Sequence, residues 1–173
     1  LSNRSRMSQS PVSSAAVLTM AGDVRIAVPD ALGLITSYVL CEQQDWFEDE
    51  IHFVRTLLSP GDRILDIGAN YGTYTLSMAR IVGDSGHVWA FEPATSTAAY
   101  LARSIELNGL RNVTLTQAAL SDHAGRAQLG LHPNSELNSL RQDLGISDTS
   151  EEVTLLTLDQ CREDFGWRNI AFI

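Results

Sequence analysis

The sequence predicts a doubly wound α/β fold on a mostly parallel sheet, and three observations carry that expectation. Apolar, β-rich runs alternate with amphipathic stretches from Arg63 to Leu120. The connections between them are short and bear Gly or Asn. The first connection follows directly on a strand ending in an acid, in the stretch ILDIGANYGTYT from Ile64 to Thr75. Strand–helix–strand units joined this tightly imply right-handed crossovers and a sheet covered on both faces.

Taken in order, residues 1–22 are Ser- and Ala-rich without a strong apolar run, so they read as a mobile arm and not as a signal peptide. The runs from Val24 to Val28 and from Leu34 to Leu40 flank a Pro-Asp/Gly turn region and predict a small hairpin within residues 23–44. Asp45 is placed to cap a helix reaching about Leu58, with Phe47, Ile51, Val54 and Leu58 on one face. Arg63 to Ile67 is a buried strand, and Tyr71 to Val82 a helix with Tyr74, Met78 and Ile81 in register. Gly86 to Pro93 gives the second strand, Thr95 to Asn108 the second helix, and Asn112 to Leu120 the third strand. A further strand is expected from Arg126 to Leu131, then a polar loop from Pro133 to Ser150. Glu152 to Asp164 offers a strand and a short helix capped by Thr157. WRNIAFI, from Trp167, opens one more apolar strand at the end of the sequence. A bare apolar edge is what natural sheets avoid, so residues 45–173 read as the N-terminal part of a longer domain, and the edge invites pairing as a homodimer.

The totals narrow the function classes. A chain of 173 residues with 44% hydrophobic content suits one α/β domain. No apolar stretch approaches the roughly 20 residues that cross a bilayer, so no membrane partner is expected. The net charge is −9 and all 12 basic residues are Arg; such a surface repels phosphate backbones, and no nucleic acid partner is expected. Cys41 and Cys161 fall in no CxxC pattern and are expected reduced, in the cytoplasm. The four histidines show no metal-ligand spacing.

The chemistry concentrates at the strand ends. In an open parallel sheet, ligands settle beyond the carboxyl ends of the strands, where Asp66 and Glu92 sit. Glu92 lies about twenty residues past Gly72, the distance at which dinucleotide-binding folds place a ribose-binding acid. A carboxylate there accepts from both ribose hydroxyls, so the ligand is expected to contain a nucleoside. The dinucleotide pattern GxGxxG is broken, however, because Gly68-Ala69-Asn70-Tyr71-Gly72 lacks the middle glycine. Asp66 would also face a pyrophosphate unfavourably, by of order a kcal/mol or more. The same carboxylate suits a ligand with a positive end, and S-adenosylmethionine, with its α-amino group and sulfonium, is such a ligand. Asn70 then either offers an amide to that ligand or braces the turn.

The stretch ILDIGANYGTYT resembles the first motif of class I S-adenosylmethionine-dependent methyltransferases, and its form D-x-G-A-N-x-G-x-x-[ST] resembles the FkbM-type family in particular. The resemblance continues through VWAFEP, NGL, AALSDHAG and TLDQC, roughly from Trp46 to the end. It implies a Rossmann-like methyltransferase fold that continues, beyond a strand like NIAFI, into a Lys-Ile-Asp-Val-Glu-Gly stretch. It implies that Asp66 and the backbone of Gly68, Ala69, Asn70 and Gly72 hold the methionine part, and that Glu92, followed by Pro93, binds the ribose. It places Ser121 and Asp122 at the adenine edge, where Asp122 either accepts from the adenine amino group or merely starts a turn. Glu48 either reaches the methionine amino group or complements a helix N-terminus. The activity implied is O-methylation of a sugar or small-metabolite hydroxyl, with a small-molecule or glycan acceptor; the general base is not assigned. Two other readings stand beside it: an NAD-dependent oxidoreductase, and a non-catalytic module that keeps the fold as a partner surface.

Overall fold

A computed structural model describes residues 15–140 and 149–173. Its centre is a parallel sheet of β3 (Arg63–Ile67), β4 (His87–Phe91) and β5 (Val113–Thr116), in that spatial order. Helix α3 (Thr73–Val82) crosses from β3 to β4 and α4 (Thr95–Asn108) from β4 to β5. The chain then returns to the opposite edge of β3. Leu65 N donates to Phe172 O at 3.0 Å, Ala171 N donates to Arg63 O at 2.8 Å, and Ile64 bridges Phe172 in parallel. The strand expected from Trp167 is thus reduced to an isolated bridge, but it places the chain on the edge of β3 away from β4. The order of the chain therefore reverses at β3, and the crevice beyond its carboxyl end is the switch point where such sheets bind ligands. The doubly wound α/β fold expected from the alternation is the fold observed.

Period-two burial explains how both faces are covered. Ile64 and Val88 are fully buried with Val54, Met78 and Val82 from the α2 (Asp49–Leu57) and α3 side. Leu65 and Phe91 point the other way, onto Cys161 and Trp167 around α5 (Leu158–Asp164). Thr157 caps α5 as expected, accepting from Gln160 N. A second sheet orders β6 (Ala119–Leu120), β8 (Thr149–Leu156) and β7 (Gly125–Leu131), with β6 parallel and β7 antiparallel to β8. The third expected strand is thus split at Gln117 into β5 and β6. The loop expected from Pro133 carries a 3-10 turn, Ser135–Leu137, and its residues 141–148 lie outside the described residues.

The N-terminal region differs most from expectation. A hairpin is present, but its strands are β1 (Ala15–Met20) and β2 (Val24–Pro29), so residues 15–20 are strand and not arm; residues 1–14 lie outside the described residues. The run Leu34–Leu40, expected as the second strand, is helical within α1 (Ile35–Gln43). Tertiary packing overrides its β-branched composition: Leu40 is buried beside Ile26, Ala27 and Val28 of β2 and Leu101 of α4. Asp45 does not cap α2. Glu48 occupies the N-cap position, and Asp45 instead forms a two-pronged pair with Arg55, Nη1 to Oδ2 at 2.6 Å and Nη2 to Oδ1 at 2.7 Å. Arg55 Nη2 also donates to Ser77 Oγ at 2.9 Å, which ties the segment before α2 to α3.

Candidate active site

The site is built on the turn after β3. Gly68 N and Ala69 N both donate to Phe91 O at 2.9 Å, so the chain is pulled across the end of β4 as it leaves the sheet. It then takes left-handed backbone at Gly68 (φ 79°), Asn70 (φ 50°) and Gly72 (φ 98°). Asn is among the few residues with a side chain that tolerate this region, which is the physical reason it stands where a dinucleotide turn has glycine. Gly72 has no such latitude. A Cβ there would overlap Leu101 Cδ1, and Leu101 is fully buried. Gly72 therefore sits against α4, beneath the turn.

A cavity of about 290 Å³ opens on this turn. Asp66, Gly68, Ala69, Asn70 and Tyr71 form its floor, with Thr73 and Tyr74 of α3 beside them. Trp46 and Glu48, from the segment leading into α2, make one wall, and Thr36 of α1 with Glu136 of the 3-10 turn make another. Three carboxylates thus face one small space. Burial pushes the Asp66 carboxyl above its ordinary value of 3.8, against the opposing effect of Thr75, whose hydroxyl donates to Oδ2. Glu48 Oε2 accepts from Trp46 Nε1 at 2.9 Å and from the Tyr74 hydroxyl at 3.4 Å. Burial first, then the nearby charge of Glu48, pushes the Tyr74 phenol up to about 12, so it stays a protonated donor. Glu136 accepts from the Thr36 hydroxyl. A space ringed this way favours a cation.

Of the residues singled out in the sequence, Asp66, Gly68, Ala69, Asn70 and Glu48 line this cavity together. Glu92 does not line it. It is 6% exposed and holds the turn: Oε2 accepts from Asn70 N and Oε1 from Ala94 N, each at 2.9 Å. Burial raises its carboxyl above 4.5, with those two backbone donors acting in the opposite direction. Pro93, Ser121 and Asp122 are also outside the cavity lining. Ser121 N donates to Leu156 O at 2.9 Å beyond β6, and the exposed Asp122 carboxylate meets His123 Nδ1 at 2.6 Å, which lowers its pKa. Six lining residues were not singled out for the site: Thr36, Trp46, Tyr71, Thr73, Tyr74 and Glu136. WFEDE carries a local signal for one of them, since an indole N–H that is partly buried needs an acceptor and Glu48 lies two residues on. Thr36 and Glu136 are 100 residues apart and meet only through the fold.

The family comparison is decisive at this point: the model of the methyltransferase FkbM domain matches residues 66–173, well over half the chain. The chain belongs to the FkbM methyltransferase domain family. The matched residues form part of a methyltransferase domain, and S-adenosylmethionine is the cofactor that membership of this family supports. No curated protein sequence matches it. Among solved structures it is similar to a SAM-dependent methyltransferase from Aquifex aeolicus (26% identity, TM-score 0.37, covering 42% of this chain and 38% of that one). It is similar also to a SAM-dependent O-methyltransferase from Thermotoga maritima (23%, TM-score 0.40, 59% and 40%) and to an rRNA methylase from Streptococcus thermophilus (17%, TM-score 0.36, 40% and 40%). The chain spans no more than 40% of the length of each of these three structures.

Proposed function

We propose that this chain is the donor-binding part of an S-adenosylmethionine-dependent O-methyltransferase whose acceptor is a hydroxyl of a sugar, glycan or small metabolite. The observation that carries the reading is the carboxylate-ringed cavity at the switch point, set on a glycine–asparagine turn. The donor set fits the group: S-adenosylmethionine brings an ammonium and a sulfonium, and Asp66 and Glu48 supply opposite charge where a pyrophosphate would be repelled. It supplies an electrophilic methyl carbon that already carries its leaving group. The chain's residues then act chiefly by alignment, which is worth up to about 7–11 kcal/mol in favourable cases. In this reading Asp66 and Glu48 hold the ammonium, while Glu92 fixes the Asn70 peptide and turns its remaining lone pairs to the ribose hydroxyls. Pro93, Ser121 and Asp122 border the adenine. The net charge of −9 supports a small acceptor over a phosphate backbone. Among the described residues no helix is long and apolar enough to cross a membrane.

Calorimetric titration of the chain with S-adenosylhomocysteine tests the reading. Micromolar binding that weakens in Asp66→Asn and in Glu48→Gln is expected. An absence of binding, or binding untouched by both substitutions, would sink it. Transfer of labelled methyl from S-adenosylmethionine to a pool of hydroxyl acceptors, against a pool of RNA, tests the acceptor class.

A further inference from the structure

Three consecutive residues of the β7–β8 connection reach three partners at the cavity. Asn134 Oδ1 accepts from Ile35 N at 3.1 Å, Ser135 Oγ donates to Asn70 Oδ1 at 2.8 Å, and Glu136 accepts from the Thr36 hydroxyl. The 3-10 turn is thereby clasped onto both α1 and the cofactor turn, although nothing in the local sequence links these segments.

The middle bond has a chemical consequence. A carboxamide is planar, so fixing Oδ1 of Asn70 also fixes the direction of its two Nδ2 hydrogens. The backbone of Asn70 is held as well, because its N–H donates to Glu92 Oε2. Among the described residues no side chain accepts from Nδ2. Meanwhile the cavity's lining, among the described residues, holds carboxylates and no basic residue. The hydroxyl of Thr36, the indole N–H of Trp46 and the phenol of Tyr74 already donate to Glu136 or Glu48. A zwitterionic amino-acid end entering this space finds acceptors for its ammonium in abundance, but few donors for its carboxylate. Asn70 Nδ2 is a donor of that kind; of the lining hydroxyls, Thr73 at the start of α3 and Tyr71, which bonds Ser135, are not engaged with a carboxylate.

We propose that Ser135 is a positioning residue of the donor site: it aims the Asn70 amide at the carboxylate of the amino-acid end of the ligand. The inference rests on the donor-site reading above. Its test therefore compares two ligands on the full chain. S-adenosylhomocysteine has the amino-acid end, whereas 5′-methylthioadenosine keeps the nucleoside and thioether and lacks it. Ser135→Ala weakens S-adenosylhomocysteine roughly 5- to 10-fold, the loss of one hydrogen bond to a charged group, and leaves 5′-methylthioadenosine within about twofold. Ser135→Thr, which keeps the hydroxyl, restores the affinity. Asn70→Ala weakens S-adenosylhomocysteine likewise, and the double variant is no weaker than Asn70→Ala alone. Equal weakening of both ligands by Ser135→Ala would reduce Ser135 to a structural clasp and overturn the proposal, as would no change in either. A wild-type chain that binds 5′-methylthioadenosine but not S-adenosylhomocysteine overturns it too. If the wild type binds neither, the donor-site reading itself fails and takes this inference with it.

Discussion

Replacing Gly72 by alanine separates two reasons for a glycine at this turn. If the residue is needed only for close approach of a ligand, the substitution costs no more stability than its backbone strain and removes affinity. The structure assigns it to packing instead. A Cβ at Gly72 overlaps Leu101 Cδ1 and stands 3.5 Å from Leu76 Cγ, and both leucines are fully buried, so neither can swing into solvent. Overpacking of this kind costs about 1–3 kcal/mol, and a side chain at φ 98° adds about 1–2 kcal/mol of backbone strain. Gly68→Ala provides the control, because its Cβ meets nothing within 4 Å and only its φ of 79° is unfavourable. Gly72→Ala is expected to lose about 3–4 kcal/mol in urea melts, and Gly68→Ala about 1–2 kcal/mol. In thermal melts the larger loss lowers the midpoint by roughly 10 °C for a domain of this size. Adding Leu101→Ala to Gly72→Ala makes room for the new methyl, so the pair costs less than the sum of its parts by about 1–2 kcal/mol. Equal losses at Gly68 and Gly72, or strict additivity with Leu101→Ala, would refute the packing argument.

Asp66 sets a pH dependence with a definite sign. Its pKa is raised in the folded chain, so its contribution to stability is full below 3.8 and is lost as pH rises through the raised folded value. Urea melts between about pH 4 and 7 are expected to show Asp66→Asn more stable than wild type toward neutral pH, the gap closing in acid; a constant gap would contradict this. Affinity for a cationic ligand runs the other way, rising over the same interval as Asp66 ionises. Asp45 has the opposite sign: Arg55 holds its carboxyl below 3.8, so its stabilisation is present above that pH and is lost as pH falls through the lowered value. Arg55→Met is expected to cost about 2 kcal/mol at neutral pH, less in strong acid, read from denaturant midpoints at each pH. Glu92→Gln puts an amide NH2 against one of two backbone donors, at Asn70 or Ala94, with an expected loss of about 1–3 kcal/mol; an unchanged melting curve would show that the brace is idle.

Much of this protein was legible in its sequence because the governing rules are local. The alternation from Arg63 to Asn108 fixes β3, α3, β4 and α4 through two periodicities, and Thr157 caps α5 by a rule spanning three residues. The acid–glycine–asparagine–glycine turn announces its own backbone, since few residues besides glycine and asparagine accept a positive φ. What failed was decided at long range. Residues 34–40 have the composition of a strand, yet they form a helix because β2 takes β1 as its partner and leaves Leu40 to pack on the hairpin and α4. Asp45 looks like a cap, but an arginine ten residues on offers a two-pronged pair and outcompetes the backbone. Glu92 follows its strand where expected, yet only the parallel register of β4 beside β3 brings its carboxylate under the Asn70 amide. The sequence by itself determined the family, the alternation and the chemistry of the turn. The tertiary structure alone decided that Thr36, Glu48 and Glu136 share one cavity, because hydrogen bonds between segments 100 residues apart have no local pattern to betray them.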